Sequence, residues 1–288
     1  SRFLLIPPRL IMPAVPTPFS HVMVAEEILQ HEGLPAHIKE HLQAARPAFL
    51  LGNTAPDLGS LRRRARHETH FFQVPVIQQR PAHLRMLDHY AELADPDDLP
   101  RDQAAFIAGY LAHLWLDQAW ILQVFQPFFG AGDLPGSFQE RLIEHNLIRA
   151  AIDEEHRQHL PVDLSDILIS AEPDSWLPFA SDNSIRRWRD HLAEQVGPEG
   201  QIHTIEVFAE KLSMPSEDFS ARLNSAKAMQ RILARVPEDH IQQLFATAVE
   251  HSVELVHYYL EGRTEQAPRS SQPVHQLAVY PGDGEEAT

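Results

Sequence analysis

The sequence predicts an all-α fold, a single multi-helix bundle. Apolar residues recur at helical spacing over most of the chain, no stretch alternates as a strand would, and glycine and proline fall between the periodic segments. There is no internal repeat. Hydrophobic residues make up 43% of the 288, enough for a sizeable core.

Taken in order, SHVMVAEEILQH (Ser20–His31) opens on a candidate serine cap, and PAHIKEHLQAA (Pro35–Ala45) opens on proline, as helices favour. The segment from Arg46 to Phe72 is interrupted by Gly52, Pro56 and Gly59 and reads as a helix end followed by a long loop. Further helices are expected over Arg80–Ala94, Asp102–Phe129 and Ser137–His159, the last with Glu140 placed to complete a capping box. Gly130–Gly136 breaks the chain before it. Beyond Pro161 the expected helices are Ser184–Val196, His203–Leu212, Ser216–Arg235 and Pro237–Glu261. This divides the chain into an N-terminal extension (1–17), one helical domain (18–262) and a polar tail (263–288).

Composition narrows the chemistry. There are no cysteines, so disulfides, thiolate metal sites and cysteine nucleophiles are excluded, and any metal must be held by His, Asp and Glu. A net charge of −16 argues against a broad nucleic-acid footprint and against anionic membranes. No apolar run is long enough to span a bilayer. The opening SRFLLIPPRLIMPAVP is broken by prolines and reads as a leader or appended segment, with Met12 a candidate start, so the expected location is cytoplasmic. GxSxG, HExxH and P-loop motifs are absent, and the Asp88-His89 pair is the reverse of a His-Asp phosphohydrolase motif.

The chain holds 18 histidines. In YLAHLWLDQAW, His113 and Asp117 stand one helical turn apart and share a face of an otherwise apolar helix. By itself such a pair is more often a structural hydrogen bond, Asp57 in GNTAPD a turn residue, and His67 or His70 a surface histidine. Taken with His21, after PTPFS, and His70, in RHETHFF, they make a set of three histidines and two carboxylates that a helix bundle can bring to one point. Such a set suits zinc, and a bridging carboxylate suits two ions.

The ordered segments PFSHVMVAEEIL, FLLGNTAPDLG, HETHFF and AGYLAHLWLDQAW resemble the zinc-dependent phospholipase C family, an all-α fold shared with zinc-dependent single-strand nucleases. The likeness covers roughly Pro18 to Asp153, with a weaker echo in HSVELVHYYLEG. It implies Asp57, His70, His113 and Asp117 as ligands of one zinc, with Asp117 bridging to a second that His21 also binds. Asp57 is then the general base as well. In the family the N-terminal amine completes the second site. Here residues precede His21, so water, a carbonyl or a side chain must replace it.

The chain also departs from the family. Phospholipases place another histidine about ten residues beyond the one matching His113, whereas none lies here between His113 and His145. They then use an HxxxE pair. His145 matches its histidine as a metal ligand, but Arg149 stands where the glutamate belongs and would repel a cation. Two zinc ions are therefore expected in preference to three, with Glu144, Asp153 and Glu154 as weaker substitutes. Arg149 either binds phosphate bidentately or forms a salt bridge to one of those acids. Tyr110, Trp115, Trp120, Phe71 and Phe72 are core residues or line a lipid head group or acyl chain.

The expected function is a zinc-dependent hydrolase of phosphoester bonds acting on a small or lipid ester by attack of activated water. The alternatives are a divergent carboxylic-ester or phosphomonoester hydrolase and a non-catalytic, metal-stabilised helical protein.

Overall fold

The computed structural model describes residues 16–61, 66–76, 80–197, 200 and 203–267. The opening residues to 15, Met12 among them, and the tail from 268 lie outside the described residues. Within them the protein is all-helical, with no strand beyond an isolated bridge between Leu177 and Ala180.

The helices are α1 (Pro18–Gln30), α2 (Ala36–Ala44), α3 (Arg46–Gly52), α4 (His67–His70), α5 (Ala82–His89), α6 (Arg101–Trp120), α7 (Phe138–Arg157), α8 (Leu164–Ile169), α9 (Asp182–Val196), α10 (Thr204–Lys211), α11 (Ser216–Leu223), α12 (Ala226–Arg235) and α13 (Glu238–Leu260). α6 runs through the middle, packed by α3 on one side and α13 on another. Eighteen of its twenty residues are buried, which is why its sequence is apolar all round. One contiguous core reaches from Val22 to Tyr259.

Several boundaries differ from those the sequence suggests, each for a local reason. The first helix begins at Pro18, not at a Ser20 cap. Thr17 occupies the cap position, and its hydroxyl donates to Asp153 instead of capping. The expected loop after Gly52 carries a 3-10 turn (Ala55–Leu61) and the single-turn α4. α5 ends at His89, and a 3-10 turn over Ala91–Leu93 follows it. The long central helix changes character after Trp120 and continues as wider π-type helix over Ile121–Gly130, with Pro127 inside. Pro127 has no N–H to donate. The carbonyl four residues before it, Gln123 O, accepts from His240 Nε2 at 2.9 Å. The expected Ser216–Arg235 helix is two, because the Ser225 hydroxyl accepts from Ala228 N and starts a new one. α8 was not anticipated. The capping box at Ser137 and Glu140 is present with both its hydrogen bonds.

The α3–α6 crossing sets the geometry of the site. A Cβ at Gly52 would lie 2.1 Å from Phe106 O, and one at Gly109 would lie 2.3 Å from Phe49 O. Glycine at both positions lets the two backbones touch. The loop after α3 is thereby held against the middle of α6, four residues from His113.

Candidate metal centre

His113 and Asp117 lie on the buried face of α6 and are fully enclosed. Asp117 divides three histidines between its two oxygens. Its Oδ1 is 3.1 Å from His21 Nε2, while Oδ2 is 3.1 Å from His113 Nε2 and 3.2 Å from His70 Nε2. His21 comes from α1, His70 from α4, and Asp57 from the 3-10 turn, with Oδ1 3.4 Å from His70 Nε2. The five residues picked out in the sequence therefore meet at one point. Two overlapping sets within it, His21–Asp57–His113 and His70–His113–Asp117, are close enough to hold a metal ion.

Outer contacts fix two of the rings. His113 Nδ1–H donates to Asn53 O at 2.7 Å, a bond the α3–α6 crossing makes possible. His70 Nδ1 lies 3.0 Å from the Thr69 hydroxyl, which itself donates to Arg66 O. Both Nε2 atoms consequently face inward, only 3.3 Å apart. Two imidazole nitrogens this close need a proton or a metal ion between them or on one of them. Pinning of the outer ring nitrogen is the usual preparation of a histidine for metal binding.

The charges fit the same demand. Burial pushes against ionising His113, yet the neighbouring Asp117 and then Asp57 raise its pKa on balance. His21 is lowered to about 4 by burial and by His113, against whose ring it stacks at 3.7 Å. Burial works against both carboxylates. The hydrogen bond from His70 and the charge of His113 nevertheless hold Asp57 at about 2, and His113 and Arg66 hold Asp117 well below its ordinary value. The cluster keeps its carboxylates anionic and calls for positive charge among the imidazoles.

Sequence reading missed Arg66. Its guanidinium donates to Asp117 Oδ2 and stands 3.8 Å from Asp57 Oδ1. The basic run RRRARHETH immediately before His70 was the available signal.

His145 is not brought to this cluster. It is buried in a box of Phe125, Phe129 and Trp120, and its Nε2 accepts the Trp120 indole N–H at 3.0 Å. Burial and the nearby Arg149 hold its pKa well below the ordinary value, so it is neutral. The acids considered as substitutes are committed elsewhere: Glu144 to Arg231 and Arg235 at 2.7 and 3.1 Å, Glu154 to Arg157 at 3.0 Å, and Asp153 to the hydroxyls of Thr17 and Thr204. None of them forms an ion pair with Arg149.

The aromatics separate into two groups. Tyr110 (hydroxyl to Thr69 O, 2.6 Å), Trp115 and Trp120 are core. Phe71 and Phe72 instead line a cavity of about 400 Å³ with Tyr90, Phe179 and Arg85. Phe71 sits at φ 59°, a left-handed conformation rare for an aromatic residue, where it closes α4. Phe72 adjoins the cluster, its ring 6.3 Å from that of His70 and 5.5 Å from the Arg66 guanidinium.

The buried His/Asp groups can bind a metal ion, and no described helix is long and apolar enough to cross a membrane. No family model matches this chain, and neither a curated protein nor a solved structure matches it.

Proposed function

We propose that the protein is a zinc-dependent hydrolase of phosphoester bonds, similar in its site to the zinc-dependent phospholipases C. The observation that supports this most is the sharing of one buried carboxylate, Asp117, between His21 on one oxygen and His70 and His113 on the other. That is the arrangement a carboxylate bridging two ions requires. On this reading Asp57, His70, His113 and Asp117 would hold one ion, and Asp117 and His21 would hold the other. When bound, zinc supplies Lewis acidity, acidifying water and drawing charge from phosphoryl oxygens.

The chain's own residues do the rest. Asn53 O and Thr69 orient the two imidazoles. Asp57, held anionic, accepts the proton of the attacking water. The cavity beside Phe72 gives the leaving group an apolar wall.

One observation favours the non-catalytic reading. Arg66 already neutralises Asp117, so the cluster also stands as a closed ionic network. Metal content decides between the two. Mass spectrometry of the protein purified without added metal is expected to give about two zinc ions per chain, largely lost in His113→Ala. Zinc-loaded protein is then expected to hydrolyse p-nitrophenyl phosphates. No bound metal, with His113→Ala equally well folded, overturns the proposal.

A further inference from the structure

Arg149 is a buried cation that no described carboxylate touches directly. Only 4% of it is exposed, and among the described residues it forms no ion pair. Among the same residues its one hydrogen bond runs from Nη1 to Asn146 Oδ1 at 2.7 Å, and its buried Nε–H has no partner. Phe208 of α10 lies against the guanidinium face, 4.5 Å from the ring centre. With one amine used by Asn146 and the face covered by Phe208, the Nε edge is left as the recognition surface. That edge is the fork that takes two oxygens of a phosphate or carboxylate.

Arg149 stands one turn before Asp153 on α7, and the Asp153 carboxylate takes the hydroxyls of Thr17, one turn before His21 on α1, and of Thr204 on α10. Asp153 first, then Asp57 and Asp117, act on Arg149 through space, so it stands beside the His–Asp cluster. Lys211, at the end of α10 and three residues beyond Phe208, is acted on by Arg149, Asp57 and Arg66. It too makes no hydrogen bond or ion pair among the described residues. Asp153, the acid acting most strongly on Arg149, gives its oxygens to the hydroxyls of Thr17 and Thr204 and makes no direct bond to the guanidinium. A buried guanidinium with an unpartnered N–H is costly unless something anionic completes it.

We propose that Arg149 and Lys211 form an oxyanion subsite beside the His–Asp cluster that receives the phosphoryl oxygens of a phosphomonoester dianion. This rests on the hydrolase reading and names its substrate class. Two cations suit a group carrying two negative charges, whereas a diester offers one. A zwitterionic head group would bring its ammonium towards Lys211 and Arg149.

The test uses the full chain stripped of metal by chelation, with inorganic phosphate and dimethyl phosphate as probes in calorimetry. Phosphate is expected to bind saturably, about tenfold tighter than dimethyl phosphate, and to weaken about tenfold in Arg149→Gln and several-fold in Lys211→Ala. Circular dichroism checks that each variant is folded. If Arg149→Gln does not fold, the exposed Lys211→Ala decides alone. Absence of phosphate binding, equal affinity for the two probes, or unchanged affinity in Lys211→Ala overturns the subsite. Because no metal and no turnover are involved, loss of hydrolase activity alone counts against the catalytic reading and not against the subsite.

Discussion

Arg66 stands where the cluster's charge balance is decided. It supplies the positive charge that Asp117 and Asp57 need, and a metal ion would supply the same. The two should therefore compete. In Arg66→Met the metal-free protein is expected to lose roughly 3 kcal/mol, because two buried carboxylates lose a cation. Zinc affinity is expected to rise, which a competitive chelator titration would read. A fall in affinity would mean that Arg66 helps to hold the metal. At this scale the sequence was informative about His21, Asp57, His70, His113 and Asp117, because polar residues on apolar helices and in a loop broken by glycine and proline stand out. It was uninformative about Arg66, since one arginine in a basic run looks like its neighbours. It misled about His145, whose spacing fits a ligand but whose ring is enclosed by aromatics from the same helical hairpin.

Elements differ in how plainly their ends were written. Ser137–Glu140 is a local signal, and the structure bears it out. Ser137→Ala is expected to cost about 1 kcal/mol, seen as a lower urea midpoint with unchanged zinc content. The π-type segment after Trp120 was invisible because its apolar pattern continues unbroken, and only the packing of His240 against Gln123 O shows what becomes of the backbone around Pro127. The α3–α6 crossing was also beyond reach, since Gly52 reads as a helix end and nothing in the pattern pairs it with Gly109. In the structure a methyl group at Gly109 would collide with Phe49 O and Asn53. Gly109→Ala is expected to destabilise by roughly 3 kcal/mol and to weaken zinc binding, because the Asn53 carbonyl that orients His113 would be displaced. Loss of stability with zinc affinity intact would separate the crossing from the site.

For the molecule as a whole, acid is the expected weakness. His83 is buried, with burial first and Arg80 second lowering its pKa to about 3, and His145 is lowered as well. Unfolded, His83 would take a proton near pH 6.5, so between that value and about 3 the unfolded state binds the extra proton. Stability contributed by a neutral His83 is full above pH 6.5 and is lost as pH falls through that window. The urea midpoint should therefore drop from pH 6 to pH 5. His83→Gln should remove about 1 kcal/mol of that drop per pH unit, and an unchanged slope would show that His83 is already charged in the folded chain. Fold class was legible at this scale because periodicity is a property of many residues at once. Burial of individual histidines was not, since 18 of them share one residue type and only packing tells them apart.

Backbone contact between α3 and α6 also governs which walls of the centre can breathe. Where Gly52 meets Phe106 and Gly109 meets Phe49, no side chains lie between the helices to slide or repack. The wall left to give is α10, which meets α7 through the Phe208 ring on Arg149 and the Thr204 hydroxyl on Asp153. Amide hydrogen exchange should be slowest around Gly109–His113 and faster in Thr204–Lys211, making α10 the gate and the glycine crossing its fixed jamb.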